Sequence, residues 1–128
     1  MDKEDLKVRL KNFAIRIIHL VDRMPRTISA DAISRQIIRS GTSPSANYRA
    51  ALLGKSDRDF LNKLKMVEEE LDETLHWIEI IIDTEMIKPH LLEDLHRECH
   101  ELLKITVSTI VTVRKKINND QPEANGKW

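Results

Sequence analysis

The stretch Arg39-Ser40-Gly41-Thr42-Ser43-Pro44-Ser45-Ala46-Asn47-Tyr48-Arg49-Ala50-Ala51 places a run of small residues between two strongly apolar helical patterns. Small side chains let another helix approach the backbone closely, so the stretch indicates a tight packing site. Gly41 and Pro44 both weaken a helix, because glycine costs backbone entropy and proline lacks the N–H that would bond to Ser40. Two local structures fit: a break with a new helix capped by Ser43, or one kinked helix.

In the kinked form, serine and threonine hydroxyls would help to satisfy the freed backbone groups. A phosphate-binding turn is the weaker functional alternative for this stretch. It would require a pattern such as Gly-x-Gly-x-x-Gly or Gly-Lys-Ser, and the stretch contains neither.

Apolar residues recur at helical spacing along four segments, and few glycines or prolines interrupt them. The predicted helices span about residues 3–24, 29–54, 56–82 and 89–117. The β-branched segment 105–113 favours a strand by propensity, but a lone strand has nothing to pair with, so we expect a helix there. The pattern predicts an all-α protein, an up-down-up-down antiparallel four-helix bundle within residues 1–118, followed by a disordered tail at residues 119–128.

Charge is balanced over the whole chain but not along it. Basic and acidic residues number 21 each, so the chain is not the polycation expected of a strong non-specific nucleic-acid binder. Before residue 56 there are eleven basic and five acidic residues, whereas residues 56–86 contain three basic and ten acidic residues. The acidic third helix could neutralise its neighbours, or basic surface could stay free for phosphate. In the second case the nucleic-acid candidates are Arg23, Arg26, Arg35 and Arg49.

Arg39 lies beside the small-residue stretch, where a partner helix comes close. We expect it to form a buried ion pair with the acidic run of the third helix, the candidate partners being Glu69, Glu70 and Glu73. Removing one member of a buried pair costs about 3–5 kcal/mol.

The first, third and fourth predicted helices carry more apolar surface than one bundle seam needs. Exposed apolar faces of that kind usually find a partner, so we expect a homo-oligomer. Trp77 and Ile81 lie four residues apart on a second face of the third helix, and they are the candidate oligomer contacts.

No constellation of catalytic or metal-binding residues is complete. Two Glu-x-x-His motifs, Glu73–His76 and Glu93–His96, are half of a di-iron site, but the first two helices offer no mid-helix glutamate. His96, Cys99 and His100 share one helix, yet Cys99 falls on the core stripe while His100 is turned about 100° from it. We therefore predict no enzymatic activity, no cofactor and no metal.

The cellular setting is predicted from the cysteine count and the apolar runs. Cys99 is the single cysteine and cannot form an intrachain disulfide, which favours a reducing compartment. No apolar run approaches membrane-spanning length, and the first residues are charged. We therefore expect a cytoplasmic protein with no membrane partner.

Two motifs carry a resemblance to a known family. The chain resembles the bacterial four-helix bundle proteins of the 23S rRNA intervening-sequence family over about residues 5 to 117. The first motif consists of residues 39–43 with 46–51, and the second is the run Leu64–Glu79 (LKMVEEELDETLHWIE). The resemblance implies a ring-like homopentamer. With no catalytic constellation in the chain, we predict a non-enzymatic oligomeric protein associated with structured (ribosomal) RNA or an RNA-handling protein. The alternative is an oligomeric protein–protein interaction scaffold without nucleic-acid binding.

Overall fold

A computed structural model describes residues 2–120 of the chain. These residues form four α-helices and a 3₁₀ turn: α1 (Lys3–Asp22), α2 (Ile28–Leu52), α3 (Asp57–Asp83), the turn Pro89–Leu91, and α4 (Glu93–Asp120). No strand occurs in the described chain, so the β-branched segment 105–113 is helical as predicted. The predicted tail starts too early, because α4 includes residues 119 and 120. The rest of that predicted tail lies outside the described residues.

Side-chain caps begin the first three helices. Asp2, Thr27 and Ser56 each accept a hydrogen bond from the backbone N–H three residues on, at 2.8, 3.1 and 3.1 Å. Each cap satisfies a backbone donor that the first helical turn leaves free. Thr27 therefore caps α2, and Ser56 caps α3.

Residue contacts between consecutive helices run in opposite order along the two helices, so neighbouring helices are antiparallel. The paired positions are 17 with 41 and 3 with 48 for α1 and α2, 39 with 73 and 48 with 60 for α2 and α3, and 79 with 96 and 71 with 99 for α3 and α4. α4 returns beside α1, where Arg9 pairs with Glu98. The chain is thus an antiparallel four-helix bundle with one core.

α2 runs without a break through Gly41 and Pro44, so the broken-helix alternative is wrong. The Thr42 and Ser43 hydroxyls each donate to the carbonyl four residues earlier, at 2.6 Å. These two hydrogen bonds add donor partners for backbone carbonyls in the helical turn that precedes Pro44. Ser40, Gly41 and Pro44 are all buried, so the stretch is a packing site between helices.

Candidate interaction surfaces

The four predicted nucleic-acid arginines are all exposed, and none forms an ion pair within residues 2–120. Arg23 ends α1 and Arg26 lies in the link to α2, so these two share one corner of the bundle. Arg35 and Arg49 lie on α2, fourteen residues and therefore about 21 Å apart along its axis. The structure thus gathers Arg23 and Arg26 and places Arg49 near the other end of the bundle.

Arg23 also borders a cleft of about 250 Å³ at that corner. Arg16, His19 and Arg23 line one side, from a single face of α1. The other lining residues are Leu20, Ile87, Leu91, Leu92 and Leu95. We call this the corner cleft. It combines a cationic rim with an apolar floor, and no carboxylate lines it.

Sequence reasoning missed Arg16 and His19 as members of this site. The signal is present in the chain, because Arg16, His19 and Arg23 are spaced i, i+3 and i+7 and so share one helix face. The apolar pattern of α1 indicates only the residues that face the core, and Arg16 and His19 lie on another face. The opposite wall could not be predicted, since it depends on where the 3₁₀ turn packs.

A second candidate surface is the outer face of α2. Its residues step alternately by four and three, which is the spacing of a heptad seam. They are Ile28, Ala32, Arg35, Arg39, Thr42, Ala46, Arg49 and Leu53. Ile28 and Leu53 are 93% and 84% exposed, so large apolar side chains stand in solvent at both ends of this face.

The expected Arg39 pair forms with two of its three candidate partners. The Arg39 guanidinium lies 2.9 Å from Glu70 Oε2 and also bonds to Glu73. Glu69 is exposed and forms no ion pair in the described chain. The expectation of burial is wrong, because the Arg39 side chain is 48% exposed.

Glu73 connects this pair to the neighbouring aromatic residue. The Trp77 indole N–H donates to Glu73 Oε2 at 3.1 Å, and the His76 ring packs edge-on against Trp77. The bond from Trp77, and after it the bond from Arg39, lowers the pKa of Glu73. The two carboxylates in turn raise the pKa of Arg39. Trp77 is half-buried beside this surface cluster.

Ile81 is wrongly assigned as an oligomer contact. Its side chain is fully buried in the core of its own chain, together with Thr74 and Ile78. The row of buried residues along α3 passes from Leu71 to Thr74, Ile78 and Ile81. A polar threonine on that row hid it from the apolar pattern.

The metal candidates separate in the structure. Cys99 is buried with its Sγ 3.4 Å from the Leu71 carbonyl, and burial raises the pKa of its thiol to about 12. His96 bonds to Glu79 at 3.0 Å, while His100 is exposed. Among residues 2–120, no three His, Cys, Asp or Glu side chains are grouped closely enough to hold a metal ion. No helix in the same range is both long and apolar enough to cross a bilayer.

An all-α bundle of four antiparallel helices defines the structural class of the protein. The family model for the 23S rRNA-intervening sequence protein matches residues 4–108, and the chain belongs to that family. A similar solved structure is that of a protein of unknown function from the S23 ribosomal protein family of Bacteroides thetaiotaomicron. It shares 35% identity and a TM-score of 0.80, covering 86% of this chain and 98% of that one. No protein with curated annotation matches the chain significantly.

Proposed function

We propose that this chain is a non-enzymatic, oligomeric bundle protein that associates with structured ribosomal RNA. The exposed arginines at the corner between α1 and α2 carry the proposal. Arg16, Arg23 and Arg26 stand there without an ion pair in the described chain. The family name, which refers to sequences within 23S ribosomal RNA, supports the choice of ligand.

Phosphate is the group that these arginines would contact. A guanidinium offers a planar fork of donors that matches a phosphate, and a free one need not break an ion pair first. Nine of the 21 acidic residues lie on α3, and no Asp or Glu lines the cleft at this corner. The overall charge balance therefore does not exclude a local phosphate-binding surface.

Fluorescence anisotropy with a labelled, structured fragment of 23S ribosomal RNA tests this function. We expect affinity to fall steeply between 50 and 200 mM salt. A triple variant with Arg16, Arg23 and Arg26 changed to alanine should bind more weakly, with a log–log salt slope smaller by about one for each lost phosphate contact.

Arg97→Ala is the matched control. Arg97 is exposed like the candidates, but it already pairs with Asp94 at 2.7 Å. Its replacement should leave RNA affinity unchanged. Absence of binding at 50 mM salt, or an equal loss in the control, would overturn the proposal.

The proposed assembly is a ring-like homopentamer, as the family resemblance implies. The outer face of α2 supports a subunit contact, because its small residues Ala32 and Ala46 allow close approach of another helix. Native mass spectrometry should give a mass of five chains. Ala46→Asp should shift the protein toward monomer, whereas Ser108→Asp on exposed α4 should not. A monomeric parent protein would contradict this assembly.

A protein–protein scaffold without nucleic-acid binding is the second candidate function. Three apolar residues of α1 favour it, since Val8, Ile15 and Ile18 are 54%, 41% and 41% exposed. An intact oligomer that fails to bind RNA at low salt would support the scaffold.

A further inference from the structure

We infer that the corner cleft holds one unpaired nucleotide, with its phosphate on Arg16 and Arg23 and its base against the leucine wall. This inference rests on the proposed association with RNA, and it specifies which feature of the RNA the protein selects. Three properties of the cleft carry it: its charge, its apolar wall and its size.

The charge of the cleft suits a phosphate ester. Arg16, His19 and Arg23 share one face of α1, and the two arginines lie about 10 Å apart along the helix axis. No Asp or Glu lines the cleft, and neither arginine forms an ion pair within the described residues. An anion placed here meets donors on one side and no competing carboxylate.

The apolar wall suits the flat body of a base rather than a bare phosphate. Leu91 of the 3₁₀ turn is 58% exposed at the rim, while Leu92 and Leu95 form a buried floor. A purely phosphate-binding surface has no use for exposed leucine. His19, on the cationic side, offers an imidazole ring on which a base can stack.

The size of the cleft restricts its occupant. A volume of about 250 Å³ lies below the 300–1,000 Å³ typical of drug-sized ligands, yet it far exceeds the space of one water. Bases inside a helix are stacked and cannot reach such a cleft. Unpaired bases in loops and bulges can be splayed out of the stack. The cleft therefore selects RNA with an unpaired nucleotide over a continuous duplex.

The test compares two hairpin RNAs that differ by one bulged nucleotide, in the same anisotropy assay at near-physiological salt. We expect the bulged hairpin to bind at least tenfold more tightly than the fully paired one. Leu91→Ser should remove most of that difference and leave affinity for the paired hairpin unchanged. Val111→Ser is the matched control, because Val111 is an apolar residue of α4 that is 44% exposed and does not line the cleft; it should preserve the preference.

The outcomes separate this inference from the proposed function. Equal binding of both hairpins, or a preference that survives Leu91→Ser, would overturn the nucleotide cleft while leaving RNA association intact. No binding of either hairpin at low salt would remove both. A nucleoside monophosphate that binds the protein as tightly as the bulged hairpin would identify the ligand as free nucleotide and overturn the RNA assignment.

Discussion

Gly41 of α2 lies so close to Ile17 of α1 that a β-carbon on the glycine would stand 2.7 Å from Ile17 Cγ1 and 2.8 Å from Cγ2. Both residues are buried, and Ile17 is fully so. Glycine in a helix interior costs about 1 kcal/mol relative to alanine. α1 and α2 can therefore pack this closely only because residue 41 has no side chain.

Gly41→Ala should destabilise the protein. The added methyl group must displace Ile17 or push the helices apart, and overpacking of this kind costs about 1–3 kcal/mol. The gain in helix propensity offsets about 1 kcal/mol of that cost. Urea unfolding followed by circular dichroism should show a lower midpoint with an unchanged slope.

Ile17→Ala in both backgrounds is the control for that contact. The substitution should cost less stability when Gly41 is already alanine, because the cavity left by Ile17 accommodates the new methyl group. Additive effects of the two substitutions, or a Gly41→Ala variant more stable than the parent, would show that this contact does not limit the packing.

Arg39→Ala should lower the free energy of unfolding of the single chain by less than about 1 kcal/mol, because an exposed ion pair gains little in water. The sequence-based expectation of burial gives about 3–5 kcal/mol instead. Urea unfolding at low protein concentration distinguishes the two values. A loss of 3 kcal/mol or more would mean that Arg39 is buried under the conditions of the experiment, as in a subunit contact.

Glu73 should make part of the stability depend on acid pH. Its pKa is lowered from the ordinary value of 4.5 by the Trp77 indole and by Arg39. The stabilisation is therefore complete above pH 4.5 and is lost as pH falls through the lower pKa of the folded state. Glu73→Gln should thus be less stable than the parent at pH 7, and the difference should shrink below pH 4.5.

Glu69→Gln is the matched control for this pH series. It removes a carboxylate from the same helix, but one without an ion pair in the described chain. Chemical unfolding at pH 7, 5, 4 and 3 measures all three proteins. A Glu73→Gln difference that stays constant across the series would contradict the assigned pKa shift.

The helical spacing of apolar residues predicts the four helices because each helix buries one continuous face. The same spacing misplaces Ile81, because the apolar residues of α3 step from Leu71 to Leu75, whereas the buried row passes through Thr74. Thr74 is buried because its hydroxyl lies 2.9 Å from Ser40 Oγ and 2.7 Å from the Glu70 carbonyl. A satisfied polar residue can thus replace an apolar one in the core without leaving an apolar signal.

The course of α2 could not be decided from local propensity. Gly41 and Pro44 argue for a break, but α2 is packed against α1 on one side and α3 on the other. That burial outweighs the local cost of both residues. The corner cleft was equally beyond sequence reasoning, since it joins the end of α1 to a turn about 70 residues later in the chain.

The end of α3 contains the one non-glycine residue with positive φ in the described chain. Glu85 has φ 55°, the left-handed conformation that usually carries glycine at this position. The Glu85 N–H bonds to the Ile82 carbonyl at 3.1 Å and the Met86 N–H to the Ile81 carbonyl at 3.2 Å. These two bonds form a Schellman motif, which holds Glu85 in its strained conformation.

Glu85→Gly should therefore stabilise the protein by about 1 kcal/mol, since a left-handed L-residue costs roughly 1–2 kcal/mol and glycine avoids that cost. Glu85→Ala separates this effect from the loss of a carboxylate near the negative end of the helix dipole. Thermal and urea unfolding at pH 7 should rank Glu85→Gly first, Glu85→Asn second, since asparagine tolerates the left-handed conformation, and Glu85→Ala close to the parent. If the alanine variant is as stable as the glycine variant, the gain comes from removing the carboxylate. The backbone strain at Glu85 would then not limit stability at this helix end.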